Sequence, residues 1–159
     1  VQLVWYGGLH GFSHSPWVAQ TAALRDQMLS VRCSAGPTQL CRVLEHALRE
    51  HGKVPLRAVL FIGDALEEEP AELMELAARC RLRKLPLFLF QEGTDPAVEA
   101  AFRQAARLTK GAWCRFDQHS AARLAELLGA VARYAAGGRR ALENRGDAGA
   151  RLLLEQLQG

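Results

Sequence analysis

The chain has 159 residues, 49% of them hydrophobic and 23% charged, with a net charge of +3. That make-up fits one globular domain and excludes wholesale disorder, while its arginines lie scattered among Glu and Ala instead of forming the basic cluster a nucleic acid would select. No apolar stretch approaches the roughly 20 residues that span a bilayer, and no basic, apolar leader precedes the first strand, so a cytosolic protein without membrane or nucleic-acid partners is expected.

Val1 to Tyr6 reads as a strand closed by Gly7-Gly8, with a loop through Ser13. Ser15-Pro16 predicts a helix start, with Ser at the cap and Pro at the first helical position, leading into Trp17 to Leu29. Cys33 to Pro37 is turn chemistry, and a helix follows from Thr38 to about Glu50, with Leu40, Val43, Leu44, Ala47 and Leu48 on one face. Gly52 stops it. Arg57 to Gly63 is short and apolar enough to be a strand buried on both faces. Glu67, Glu68 and Glu69 lie in the next loop, and Pro70 opens a helix running to about Leu82.

Pro86 to Phe90 predicts a further strand, and Asp95-Pro96 opens a helix carrying Val98, Ala101, Phe102 and Ala105. Ala112 to Phe116 is another short strand, and His119-Ser120 leads into an Ala/Leu-rich helix ending near Tyr134. Strands alternating with helices, joined by short turns, predict an α/β fold: a Rossmann-like, mostly parallel sheet with helices on both faces. This domain is expected to occupy residues 1–136. Gly137-Gly138-Arg139-Arg140 breaks the pattern, and residues 137–159 read as a linker and a short amphipathic helix that docks, because Leu152, Leu153, Leu154 and Leu157 would otherwise be exposed.

Cys33, Cys41, Cys80 and Cys114 show no Cys-x-x-Cys spacing, and the last three sit in apolar periodic segments, which predicts buried free thiols. The five histidines show no tight metal spacing. Dinucleotide, phosphate-loop, nucleophile-elbow and zincin motifs are all missing. What remains is a set of oxygen donors at strand ends: Thr38 in a Gly-Pro-Thr turn, Asp64 directly after the strand ending in Gly63, and the three glutamates. In open α/β sheets ligands bind beyond the carboxyl ends of the strands, which favours Asp64 as a site residue, with a capping role as the alternative. Oxygen donors suit Mg²⁺ or Ca²⁺. The glutamates are expected to be a solvated, dipole-stabilising helix start.

The stretch from Gly36-Pro37-Thr38 through Leu48, followed by Ala58 to Asp64, resembles the middle of a von Willebrand factor A (VWA) domain. There a Gly-Gly-Thr-like turn opens a helix and the next buried strand ends in Asp, commonly within Thr-Asp-Gly. Phe61 to Glu68, Phe90 to Pro96 and Ala136 to Glu143 also resemble bacterial proteins known only as VWA-domain-containing. The resemblance implies that Thr38 and Asp64 belong to a metal-ion-dependent adhesion site holding Mg²⁺. It departs from the family in having Gly63 and Ala65 around Asp64, and no first strand carrying Asp-x-Ser-x-Ser. A first strand, normally central, is therefore expected to be absent, leaving its neighbours' edges unpaired. The opening Val, with Met only at 28 and 74, points to a fragment of a longer protein; a degenerate domain completed by a partner strand or by self-association is the lesser alternative.

The implied function is a non-enzymatic protein-interaction domain whose partial metal site, Thr38 and Asp64, takes an acidic side chain from a partner protein. The competing expectation is a small phosphotransfer or metal-dependent enzyme domain using Asp64, for which Lys110 sits at the wrong end of the sheet. A purely structural domain with Asp64 as a cap is the third.

Overall fold

In the computed structural model, which describes residues 1–32, 34–116, 121–144 and 146–157, the chain divides into two units, Val1–Gln39 and Leu40–Gly159. The first is built on an antiparallel hairpin of β1 (Val4–Gly7) and β2 (Gly11–His14), with Tyr6 opposite Phe12 and Gly7 opposite Gly11. Gly8, at φ 59°, takes the left-handed conformation that the reversal needs. The loop expected through Ser13 is instead strand β2, whose sequence carries no alternating run because Phe12 is its only large apolar residue.

Helix α1 spans Thr21–Ser30, later than the Ser15-Pro16 start expected from the sequence. The reason is local. Ser15 N donates to Leu3 O and Val18 N to Val1 O, both at 2.8 Å, so this stretch is held against the chain's opening residues. The Ser15 hydroxyl accepts from Leu3 N and donates to Pro16 O, so it serves the chain's opening residues instead of capping a helix.

The second unit alternates as expected: α2 (Leu40–Lys53), β3 (Val59–Gly63), α3 (Pro70–Leu82), β4 (Leu87–Glu92), α4 (Pro96–Thr109), β5 (Ala112–Phe116), α5 (Ala121–Glu143) and α6 (Ala148–Gln156). The three strands form a parallel sheet in the order β3-β4-β5. This is a mixed α/β architecture with helices flanking a parallel sheet, compatible with a Rossmann-like fold. Central β4 is buried from Leu87 through Gln91, as its unbroken apolar run requires.

On one face Phe88, Phe90, Cys114 and Phe116 pack with Leu127, Val131, Leu142 and Leu153 of α5 and α6. On the other, Phe61 meets Phe102 of α4 edge-to-face, with ring centroids 5.8 Å apart. Full burial of each such side chain stabilises the fold by about 1.5 to 3 kcal/mol. Among the described residues β3 pairs with β4 alone, and Ile62 on it is 43% exposed.

Two glycines are dictated by close approach. A Cβ on Gly111 would lie 1.8 Å from Leu87 O, and one on Gly149 would lie 2.5 Å from Glu126 O. The second explains how α6 seats on α5, where Asp147 caps α6 through Ala150 N and both of its carboxylate oxygens accept from Arg133 Nη2, at 2.8 and 2.9 Å. The amphipathic tail therefore docks, with Leu153 fully buried. The expected break falls at Gly137 and Gly138, whose backbone leaves helical geometry inside α5. Cys33 and the His119-Ser120 helix opening lie outside the described residues. No described helix is long and apolar enough to cross a membrane.

Candidate functional site

Asp64 follows the last residue of β3, so the strand delivers it to the carboxyl end of the sheet. It is exposed, and among the described residues its carboxylate makes no hydrogen bond and no ion pair. The capping alternative does not hold: α3 begins six residues later, at Pro70, and its N-cap position is Glu69, which makes no side-chain capping bond. An acid at a strand end, spent on nothing within the fold, keeps all its lone pairs for a ligand.

The strand register adds a second acid. Gly63 pairs with Gln91, so Asp64, just past β3, and Glu92, the last residue of β4, come next on adjacent parallel strands. The Glu92 carboxylate likewise makes no hydrogen bond or ion pair among the described residues. Sequence reasoning passed over it, although it follows an apolar strand just as Asp64 does. The neighbouring Asp95 is by contrast committed, accepting from Ala97 N and Val98 N as the N-cap of α4. Gln91 is committed too, its side chain bridging Trp113 Nε1 and Asp95 O.

Of the glutamate run, Glu67 and Glu69 are exposed ahead of α3 as expected, and Glu68 departs from that solvated start. Glu68 is half-buried and accepts from Leu40 N and Cys41 N, each at 2.8 Å, one bond per carboxylate oxygen. It caps α2, satisfying two of the orphan amides at that helix's N-terminus and complementing its dipole. Burial raises the Glu68 pKa above the ordinary carboxylate value, against the opposing pull of those amides and the Cys41 thiol. The α2 start contains no acid of its own, so its cap arrives from a loop 28 residues downstream in the chain.

Thr38 belongs to the first unit, where it is buried, and α2 begins after it at Leu40 instead of at Thr38 itself. The glycine of its Gly-Pro-Thr turn has a packing reason: a Cβ on Gly36 would lie 2.3 Å from Gly8 O. Gln39 Nε2 donates to the same carbonyl. Thr38 and Asp64 thus fall in different units, and each is positioned by its own surroundings.

Cysteine chemistry is disfavoured at the described thiols. Cys41, Cys80 and Cys114 are buried and free, as expected. Burial, then the charges of Glu68 and Glu72, pushes the Cys41 thiol up to about 12. Burial likewise raises Cys80 and Cys114 to about 11, so all three stay protonated near neutrality and are poor nucleophiles. Lys110 is the left-handed C-cap of α4, directly before β5 and so at the opposite end of the sheet from Asp64. Among the described residues no three His, Cys, Asp or Glu side chains gather as a metal site.

Comparison of the chain with family models, with curated proteins and with solved structures gives no match.

Proposed function

We propose that the chain is a non-enzymatic protein-interaction domain of VWA type, with a partial metal-ion-dependent adhesion site to which Asp64 contributes oxygen ligands. The observation that carries this reading is the state of Asp64: exposed at the carboxyl end of a parallel strand, with no cap, bond or ion pair to occupy it among the described residues. Glu92, on the adjacent parallel strand, supplies a second carboxylate. Mg²⁺ prefers six oxygens in near-octahedral array, and this set leaves positions for waters and for an acidic side chain of a partner protein. Among the described residues β3 pairs with β4 alone, which supports the companion proposal that a further strand, from a partner or a second copy, pairs at its other edge.

Calorimetric titration with Mg²⁺ and Mn²⁺ tests the reading. Binding by a depleted set is expected at about millimolar Kd, and loss of that binding in Asp64→Asn is the supporting result. Tight one-to-one binding, or weak binding indifferent to Asp64→Asn, contradicts it.

The pairing of Asp64 with Glu92 favours one other reading, metal-assisted phosphoryl transfer with Asp64 as acceptor. Incubation with acetyl phosphate discriminates: an acid-stable, base-labile phosphate on Asp64 supports transfer, and an unmodified chain supports the interaction domain.

A further inference from the structure

At the amino ends of the strands, opposite Asp64, the second unit gathers cations that the sequence scatters. The segment from α2 to β3 contributes His51 and Arg57, and the segment from α3 to β4 contributes Arg83 and Lys84, all lining one cleft of about 600 Å³. A second cleft of about 460 Å³ adjoins it through the shared Arg83 and adds Arg49 and Arg79. Among the described residues no carboxylate lines either cleft. Arg57, Arg79, Arg83 and Lys84 have no ion pair among the described residues, and Arg49 reaches Glu45 only at 4.0 Å.

Basic residues in a last helical turn ordinarily complement the helix dipole, which accounts for Arg79 in α3. It does not account for Arg57 and Lys84, which lie outside the helices, or for the lack of a carboxylate among the described residues lining the clefts. Like charges crowded on a concave surface repel one another and raise the local concentration of anions. His51 is also prepared to donate. Its Nδ1 accepts from Leu56 N at 3.0 Å, so in the neutral ring the proton sits on Nε2.

The remaining wall is apolar and fixed. Tyr134 is half-buried, its ring held edge-to-face on Phe88 at 5.1 Å, and its hydroxyl has no hydrogen-bond partner among the described residues. Beside it the α5 break brings Gly138 to the lining at φ 65°, ψ −160°, a conformation essentially confined to glycine. Lys84, also lining, takes the left-handed conformation because it ends α3, where Lys84 N donates to Arg81 O and Leu85 N to Cys80 O.

We infer that this cleft binds an organic polyphosphate: a small molecule whose phosphates lie on Arg57, Arg83 and Lys84 and whose apolar body lies against Tyr134. The volume is within the roughly 300 to 1,000 Å³ of small-molecule sites, and guanidinium groups match phosphate geometry. The site is separate from Asp64 and stands whether or not that residue holds a metal.

The test is calorimetry on the 159-residue chain in metal-free buffer, with ATP, pyrophosphate, adenosine and a short DNA duplex as probes. ATP is expected to bind one-to-one with Kd of about 0.1 to 1 mM. Pyrophosphate and adenosine are each expected to bind about tenfold or more weakly than ATP. Arg57→Gln and Arg83→Gln, both at exposed positions, are each expected to weaken ATP about tenfold. Asp64→Asn leaves ATP binding unchanged. Three results would overturn the inference: ATP affinity unmoved by either Arg substitution, pyrophosphate binding as tightly as ATP, or duplex DNA binding more tightly than ATP with the same sensitivity to Arg83→Gln.

Discussion

The two units of this chain are held together by different forces. Every buried hydrophobic side chain described lies at or beyond Leu40, whereas in Val1–Gln39 the buried residues are the polar Ser15, Thr38 and Gln39. Helix α1 buries nothing, and Leu9, Met28 and Leu29 stand exposed. The first unit is a hairpin tied by backbone bonds, an arrangement marginal by itself in water, while the second encloses both faces of a sheet. The candidate ligands divide the same way, Thr38 in the first unit and Asp64 in the second, so the two rest on unequal supports.

Core truncation exposes that contrast most strongly. Phe88→Ala, which empties a fully buried position, is expected to cost about 3 to 5 kcal/mol, and Leu29→Ala, at an exposed one, about 0.5 kcal/mol or less, both read by denaturant unfolding. Equal costs would show that α1 has a buried face after all. Gly149→Ala comes next, because its new methyl meets Glu126 O: about 1 to 3 kcal/mol is expected, with α6 the first segment to lose amide protection in hydrogen exchange.

Glu68→Ala removes the carboxylate from two amides at the start of α2 and should cost about 1 to 2 kcal/mol. Its pH dependence has a definite sign. A carboxylate whose folded pKa is raised contributes stability that is fully present below the unfolded pKa and is lost as pH rises through the folded one. The wild type should therefore gain on Glu68→Gln as pH falls from neutrality through the carboxylate range, and thermal melts across that range check it. The smallest effect belongs to Asp64→Asn, which should move stability by about 0.5 kcal/mol or less, because nothing described in the fold uses the charge.

How much of this was legible in the sequence follows the same division. In the second unit local pattern and tertiary packing agree: the bounds of α3 and β5 and the Asp95 cap match the readings from Pro70, Ala112 and Asp95-Pro96. In the first unit they do not. Ser15-Pro16 carries a helix-start signal that pairing with the opening residues overrides, and β2 lacks the apolar alternation by which a strand is read. The site was half visible. Asp64 was found because it ends an apolar run, but its neighbour Glu92 depends on strand register, and Glu68 as the cap of α2 depends on a contact between residues 28 apart. The convergence of Arg57, Arg83 and Lys84 is likewise tertiary, since in sequence they read as isolated cations.

The most direct test of the account is paramagnetic broadening of amide resonances by Mn²⁺, recorded on the wild type and on Asp64→Asn. Selective broadening at Gly63, Ala65 and Glu92 in the wild type, abolished by the substitution, is the predicted result. Broadening that spares these residues, or that persists unchanged in Asp64→Asn, would contradict a metal-dependent role for the carboxyl end of β3.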